Sequence, residues 1–370
     1  MTSAVRRRWL VAGAVGLAAL GVGVGVLVAR DPEPAVRPEV PPAEPCSRGA
    51  GDTVDGLLDC VALAGVVEHL EALQAIADEH GGTRADGTPG YEASADYVAE
   101  RAEAAGLRVS RVPFDVSGSH WDDDEDSEGR SSQNVVAELR GLTDDNVVVV
   151  GAHLDSVEDG PGINDNGTGV AAVLEVAESM AGTAPANTVR FVWWGAEEVG
   201  LTGSDEYVDS LSREERDRIA LYLNFDMVGS PNGVRFVHDG DGSSGEGAAP
   251  RGSAAIEEVF RQYFTDRGLE VEELELDDGS DFVAFAEAGI PVGGVLTGDS
   301  GEKTAEQAAV YGGEAGEQYD PCYHQDCDTI ENVNLELLEQ NADAVAYATW
   351  TFAQSTEAVD GVAGGPVAGG

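Results

Sequence analysis

The chain has 370 residues and a formal net charge of -48 at pH 7, with 69 acidic and 21 basic residues. That length suffices for one large domain with a full hydrophobic core. The charge excludes nucleic-acid binding by phosphate neutralisation, which needs clusters of basic residues. Carboxylates crowd residues 122–126 and 270–278. Such crowding is typical of a solvated surface that maintains solubility, with adaptation to high salt or cation binding as the alternative.

The first 30 residues are predicted to direct export. Arginines at positions 6–8 precede an uncharged apolar stretch at 9–29, which as a helix can cross the roughly 30 Å hydrocarbon core of a bilayer. The positive-inside rule places the remainder outside the cell. The stretch is longer than a signal-peptide core and lacks a good cleavage site, so an uncleaved membrane anchor is favoured over a signal peptide. Both alternatives predict an extracellular domain, anchored or secreted.

The segments around the domain differ in composition. Residues 31–60 are expected to form a tether, because their first half is rich in Pro, Glu and Ala without periodicity. Residues 61–355 carry the strand and helix patterns and are expected to fold as the domain. Residues 356–370 are rich in Gly and Ala and are expected to be disordered.

The four cysteines form two close pairs, Cys46 with Cys60 and Cys322 with Cys327. In an exported chain two disulfides are the natural interpretation. Metal binding by Cys322 and Cys327 is the weaker alternative, because their spacing is not that of a zinc knuckle.

Several apolar runs lead into carboxylate or imidazole side chains. The runs and the polar residues that follow them are 147–152 before His153, 188–194 before Glu197 and Glu198, and 220–225 before Asp226. Runs with this many β-branched and aromatic residues, bounded by turn residues, are typical of buried strands. Ligands of open α/β sheets bind where loops leave the carboxyl ends of strands, so these residues predict one shared cleft.

The residue types in this cleft are those of a two-metal hydrolase. Such sites hold their ions roughly 3.5 to 4 Å apart and need nitrogen and oxygen ligands for each ion. Two histidines, His153 and His324, together with three carboxylates satisfy this need if one carboxylate bridges. Asp165 is the best candidate for the bridge, because its Gly-rich loop at 162–169 lets backbone approach a metal closely.

Two further carboxylates have different predicted tasks. One of the adjacent residues Glu197 and Glu198 can bind metal while the other points into the cleft as a general base. Asp155 follows His153 by two residues, so both face the same side of a strand, and its side chain is predicted to orient the imidazole. The remaining histidines have no ligand-type neighbours at strand ends and are expected to have no functional role: His69, His80, His120 and His238. Trp193 and Trp194 are expected in the core and the pocket wall.

Five motifs, in this order, resemble the secreted bacterial double-zinc leucyl aminopeptidases, which are MH-clan metallopeptidases. They are GAHLDS at 151–156, GINDNG at 162–167, WWGAEE at 193–198, NFDMVGS at 224–230 and CYHQDCD at 322–328. The resemblance extends from about residue 81 to about residue 352.

This resemblance implies two zinc ions per chain and a role for each matching residue. The matches are His153 and Asp226 for one zinc, Glu198 and His324 for the other, Asp165 for the bridge, Glu197 for the general base and Tyr323 for a hydrogen-bond donor to the oxyanion. The family holds the substrate's free α-amine with acidic groups that Glu197 and Asp226 match, which favours exopeptidase action. It also implies a cis peptide bond between Asp165 and Asn166.

The fold implied is a single α/β domain with a mixed, twisted sheet flanked by helices, the zinc exopeptidase fold, without an inserted protease-associated domain. Covering helices are predicted at 61–78, 92–105, 168–180, 253–267 and 335–352. Phe282 departs from a histidine found in part of the family, which leaves the side-chain preference open. A calcium site known in part of the family is matched only by Glu339 and Asp343.

The leading hypothesis is therefore an exported, monomeric zinc aminopeptidase that removes apolar residues from peptides with a free N-terminus. A carboxypeptidase or a single-zinc glutaminyl cyclase is the first alternative, and the match of all five ligands and of the Tyr-His pair disfavours the cyclase. A non-catalytic surface-binding domain is the second alternative. It is disfavoured because no ligand is substituted.

Overall fold

The predicted apolar runs lie at the centre of a mixed sheet. A computed structural model describes residue 40 and residues 50–116, 130–245 and 249–361. The strands in these ranges are β1 Arg108–Val116, β2 Arg130–Leu139, β3 Thr143–His153, β4 Asn187–Trp194, β5 Ile219–Phe225, β6 Phe236–His238, β7 Glu272–Leu274 and β8 Val292–Leu296. They form one sheet in the order β1-β2-β4-β3-β5-β8-β6-β7.

The middle of the sheet is parallel. Strand β3 pairs in parallel with β4 and β5, and β5 pairs in parallel with β8. The β1–β2, β2–β4 and β6–β8 pairs are antiparallel. Val148 and Val150 face one core while Val147 and Val149 face the other, as the alternation of a strand requires. Because parallel strands end at one edge, the polar residues after β3, β4 and β5 are brought together.

Helices cover both faces of the sheet. Those in the described ranges are α1 Val54–Cys60, α2 Leu63–Glu79, α3 Pro89–Ala105, α4 Thr168–Met180, α5 Thr202–Ser210, α6 Arg213–Arg216, α7 Ser253–Asp266, α8 Phe282–Glu287, α9 Ala305–Tyr311, α10 Leu335–Gln354 and α11 Glu357–Asp360. One core packs against α2, α3, α4, α7 and α10, and the other packs against α5 and α8. The structure confirms the five predicted helices and the mixed α/β fold.

Helix α3 begins earlier than the predicted residue 92. Thr88 caps it by accepting a hydrogen bond from the Tyr91 N–H at 3.3 Å, and Pro89 occupies the first turn. Proline is favoured there because its fixed φ suits a helix and its missing N–H is not needed. Gly106 ends the helix with φ 99°, a left-handed conformation that glycine adopts without steric cost.

Two short helices lie outside the predicted domain of residues 61–355. Helix α1 lies within the predicted tether, and its Leu57 is fully buried in the core. Helix α11 lies within the predicted disordered tail, where Val359 is also buried in the core. In both segments a few apolar residues contact the domain, and burial of their side chains offsets the cost of ordering the chain.

Some predictions concern residues that are not described: the anchor at 9–29, Cys46 of the predicted Cys46–Cys60 pair, His120, the acidic segment 122–126, and residues 362–370 of the tail. Among the described helices, none alone has both the length and the apolar composition of a bilayer span. Helices α1 and α2 meet that criterion only as a pair, bent by 47°.

The chain's one lysine is buried. Lys303 is 2% exposed, and its Nζ donates hydrogen bonds to the carbonyls of Gly233 at 3.0 Å and Gly312 at 2.9 Å. Its backbone N–H donates to the Glu317 carbonyl at 2.9 Å. Lys303 therefore joins the loop before β6 to the loop after α9.

Candidate metal centre

The carboxyl ends of the central parallel strands place the predicted metal ligands side by side. His153 is the last residue of β3, opposite Trp194 at the end of β4. Asp226 directly follows β5, and Glu197 and Glu198 follow β4 after a short turn. All four side chains line one cavity of about 430 Å³. The predicted shared cleft is thus present.

The loop before α4 carries Asp165 into the same cavity. Gly162 has φ 59°, and a Cβ there would lie 2.3 Å from the Asp165 carbonyl oxygen. Gly169 lies so close to β5 that a Cβ would be 2.2 Å from the Phe225 carbonyl oxygen. Larger residues at either position would displace the loop. The Asp165–Asn166 peptide bond is cis, as the resemblance predicts.

The two carboxylate oxygens of Asp165 face different imidazoles. Its Oδ1 lies 3.2 Å from Nε2 of His153, and its Oδ2 lies 3.2 Å from Nε2 of His324. His153 Nε2 is also 3.3 Å from Asp226 Oδ1. His324 Nε2 is also 3.1 Å from Glu198 Oε2. The five predicted ligands therefore form two groups that share Asp165.

These groups fit divalent metal ions. Two ligands of a tetrahedral zinc, each bonded at 2.0 to 2.1 Å, lie about 3.3 Å apart, which matches the spacings above. Glu198 Oε1 and Asp226 Oδ1 are buried and accept no hydrogen bond from any residue that the structure describes. His153 donates through Nδ1 to the Asp155 carbonyl at 3.1 Å. That bond leaves the Nε2 lone pair free to bind metal.

The charge in the centre also favours cations. Burial raises the pKa of Glu197 well above its usual value, and the carboxylates of Asp281 and Glu198 raise it further. Burial and the Asp165 charge raise the pKa of Glu198 to about 7. For His324, burial lowers the pKa, but hydrogen bonds to carboxylates outweigh it and raise the value to about 10. A cation bound here would offset the repulsion among these carboxylates.

Asp155 contacts different atoms from those predicted. Its carboxylate lies 3.8 Å from His153 Nδ1, beyond hydrogen-bond distance, and the backbone carbonyl binds the imidazole instead. The carboxylate accepts hydrogen bonds from the backbone N–H groups of Glu197 and Glu198, both at 3.2 Å. Asp155 thus fastens the turn after β4 to the end of β3.

The His324 loop is held at both ends. The predicted Cys322–Cys327 disulfide is present, and the Tyr323 ring stacks on the His324 ring with centroids 3.8 Å apart. Asp328, which the sequence analysis did not identify, accepts hydrogen bonds from the backbone N–H groups of Asn164 at 2.8 Å and Asp165 at 3.0 Å. It therefore joins the His324 loop to the Asp165 loop.

Arg84 is a second residue that the sequence analysis did not identify. Its side chain is buried, and its guanidinium donates hydrogen bonds to the carbonyls of Leu154, Pro161 and Gly162. Among the described residues, no carboxylate lies within ion-pair distance of it. Its hydrogen bonds join the end of β3 to the Asp165 loop, and Arg84 therefore acts as a brace that holds the two segments together.

Left-handed backbone occurs next to the predicted ligands. Ala196, Met227 and His324 have φ of 56°, 49° and 57°, values that non-glycine residues adopt only at a cost of order 1–3 kcal/mol. Ala196 precedes Glu197, and Met227 follows Asp226. Such costly conformations concentrate at functional sites, where surrounding contacts hold side chains in set directions.

Other predicted positions have mixed outcomes. Trp193 and Trp194 are fully buried, as predicted. His238, predicted to have no functional neighbours, lies in the wall of the cavity. The predicted calcium residues Glu339 and Asp343 belong to no metal-ligand cluster of three or more such groups in the described part of the chain.

A model of the family described as Peptidase family M28 matches residues 134–349, more than half of the chain. The chain belongs to peptidase family M28. This M28 member is 55% identical over 227 residues to an aminopeptidase of Pseudomonas aeruginosa, covering 61% of this chain and 42% of the relative. It is 44% identical over 299 residues to leupeptin-inactivating enzyme 1 of Streptomyces exfoliatus, covering 80% and 63%. The chain thus spans less than two thirds of the length of either relative.

A solved structure supports the fold. The zinc aminopeptidase of Bacillus subtilis superposes on this M28 member with a TM-score of 0.63 at 21% identity, covering 80% of this chain and 97% of that chain. The likeness agrees with the observed architecture, a mixed sheet flanked by helices. The predicted fold is therefore confirmed, and the match to peptidase family M28 confirms the predicted family.

Proposed function

We propose that this M28 member is an exported zinc aminopeptidase that removes apolar N-terminal residues from peptides. The observation that carries the proposal is the position of the two Asp165 oxygens, each 3.2 Å from a different imidazole. With Asp226 beside one imidazole and Glu198 beside the other, these side chains would hold two zinc ions, and Asp165 would contribute one oxygen to each group. The relative from Pseudomonas aeruginosa is named an aminopeptidase, which supports peptides as substrates.

Bound zinc would polarise the scissile carbonyl and lower the pKa of water. Glu197, which lines the cavity beside the ligands, takes a proton from the attacking water and returns it to the leaving amine. Tyr323 lines the same cavity, and its hydroxyl donates a hydrogen bond to the substrate carbonyl oxygen as that atom gains negative charge. Asp155 holds the turn that carries Glu197 through the backbone bonds described above.

The acidic lining supports exopeptidase action. The positively charged α-amine of a peptide is attracted to the carboxylates of Glu197 and Asp226. A peptide without that charge leaves the repulsion between these two carboxylates uncompensated. Substrates are therefore peptides with a free N-terminus. Residues 9–29 export the domain, which acts as a monomer outside the cell, either anchored to the membrane or secreted. Calcium remains a weaker proposal, with Glu339 and Asp343 as its residues.

The test is Glu197→Gln in the purified full chain. The unchanged protein should bind two zinc ions, hydrolyse leucyl 4-nitroanilide and lose activity in chelator. The variant should lose about 10²- to 10⁴-fold in kcat and retain its zinc, because the change removes the base and spares the ligands. Glu214→Gln, an exposed glutamate on α6, is the matched control and should remain active. A fully active Glu197→Gln enzyme would refute the mechanism.

The same preparations separate the alternatives. A glutaminyl cyclase would bind one zinc ion per chain and cyclise N-terminal glutamine. A carboxypeptidase would cleave peptides whose N-terminus is acetylated, whereas the proposed aminopeptidase spares them. A non-catalytic domain would bind fewer than one metal ion per chain and hydrolyse none of these substrates.

A further inference from the structure

The cavity extends away from the metal centre along an apolar wall built by β6, β7 and β8. Phe236 and His238 are two residues apart on β6 and so face the same side. Their cross-strand neighbours are Leu296 on β8 and Leu274 on β7, and neighbours in register share a face. All four side chains line the cavity, together with Phe282. The wall can therefore receive a large apolar side chain.

Most polar side chains along this wall are satisfied within the protein. Gln307 accepts from the Tyr319 hydroxyl at 2.8 Å and donates to Glu272 at 2.8 Å. Ser280 donates to Asp226 at 2.8 Å and accepts from Asn224 at 3.0 Å. These groups require no hydrogen bond from a ligand.

His238 is the exception. It is 4% exposed, and its Nδ1 is buried without a hydrogen-bond partner. Among the described residues neither of its ring nitrogens is hydrogen-bonded, and the ring instead packs edge-on against Phe282 at 5.0 Å. Burial lowers the pKa of His238 to about 4, so the ring is neutral at pH 7. A neutral imidazole offers one donor and one acceptor.

Nδ1 is enclosed by protein, so Nε2 is the ring nitrogen that a ligand in the cavity can reach, and a hydrogen bond to it adds to binding. The α-amine of a substrate lies at Glu197 and Asp226 in the proposed function, so the side chain of the same residue is the group that enters the wall. Its stem contacts Phe236 and Phe282, and its tip approaches His238.

We propose that His238 makes this cavity selective for N-terminal residues with an aromatic stem and a hydrogen-bonding tip, of which tyrosine is the natural example. A phenol hydroxyl both donates and accepts, so it pairs with either tautomer of the imidazole. A lysine tip can only donate, so it pairs with only one of the two tautomers. The inference rests on the proposed aminopeptidase function and refines its substrate class.

The expected size follows from one neutral hydrogen bond. Its net worth is about 0.5–1.5 kcal/mol, or about 2- to 10-fold. The experiment compares kcat/KM for tyrosyl and phenylalanyl 4-nitroanilides. The unchanged protein should prefer the tyrosyl substrate by that factor, and His238→Phe should reduce the tyrosyl to phenylalanyl ratio to one or below. His80→Phe is the matched control, because it makes the same substitution outside the cavity and should keep the preference.

His238→Gln retains a neutral donor and acceptor and should keep part of the preference, which provides a second test if His238→Phe fails to fold. A tyrosyl to phenylalanyl ratio at or below one in the unchanged protein would overturn the inference, as would an unaltered ratio in His238→Phe or a stronger preference for lysyl substrate. Failure of the proposed function is a separate result, in which no anilide is hydrolysed. Calorimetric binding of tyrosinol and phenylalaninol then decides the inference by the same ratio.

Discussion

Replacing Arg84 with methionine should destabilise the domain severely. The guanidinium is buried and donates to three backbone carbonyls. The Gly162 carbonyl also accepts from the Gly167 N–H at 3.0 Å, so it keeps a partner in the variant. The carbonyls of Leu154 and Pro161 have no second partner among the described residues. Two buried acceptors are thus left unsatisfied, at about 1–3 kcal/mol each.

The expected loss in free energy of unfolding is therefore about 2–6 kcal/mol, a large share of the roughly 5–15 kcal/mol typical of a domain. Urea unfolding of the unchanged protein and of Arg84→Met measures this difference. Arg213→Met is the matched control, because the Arg213 side chain is 93% exposed and should change stability by less than about 0.5 kcal/mol. A loss below about 1 kcal/mol for Arg84→Met would refute the role of Arg84 as a brace.

Three other changes test separate parts of the centre. Gly162→Ala should lower the free energy of unfolding by more than about 2 kcal/mol and release zinc, because φ is 59° and the new Cβ would lie 2.3 Å from a carbonyl oxygen. Its control is Gly182→Ala, where φ is 83° but the space is open. That change should lower the free energy of unfolding by only about 1 kcal/mol. Changing both Cys322 and Cys327 to serine should cost about 2 kcal/mol in urea unfolding and lower the zinc content, and no change in either measurement would contradict the bracing role of the disulfide. The folded pKa of His238, about 4, lies below its unfolded value, so its stabilisation is present above about pH 6.5 and is lost as pH falls. Between pH 7 and 5 the free energy of unfolding of the unchanged protein should fall by about 2 kcal/mol more than that of His238→Phe. Equal decreases in the two proteins would show that this ring does not titrate as described.

The strand ends could be predicted because their signals are local. An apolar run followed by a charged residue marks where a parallel strand leaves the sheet, so His153 and Asp226 were found without knowledge of the fold. Asp165 and His324 are candidates from their residue types and, for Asp165, from its Gly-rich loop. Assigning His324 to a particular zinc ion needs the family's motifs, because the loops that carry both residues make contacts across large separations in sequence. Their side chains lie 3.2 Å apart although the two residues are 159 positions apart in the sequence.

Arg84 and Asp328 could not be predicted in the same way. The side chains of both residues hydrogen-bond to backbone carbonyls or N–H groups. Any residue type supplies such backbone partners, so no pattern of side chains in the sequence indicates these contacts. Asp155 illustrates the same difficulty. Its spacing from His153 correctly placed the two residues together, but spacing cannot tell whether a carbonyl or a carboxylate makes the bond. The position of His238 in the cavity wall cannot be predicted from the sequence, because β6 has only three residues and lacks a recognisable strand pattern.

The burial of Lys303 determines how this protein reacts with amine reagents. An ε-ammonium group that is enclosed and hydrogen-bonded to two carbonyls is poorly accessible to acylating agents and aldehyde cross-linkers. In the folded protein lysine acetylation or ubiquitination therefore has no exposed target among the side chains of this sequence. Coupling to a support would instead use the abundant surface carboxylates. Trypsin is likewise confined to arginine bonds while the fold is intact.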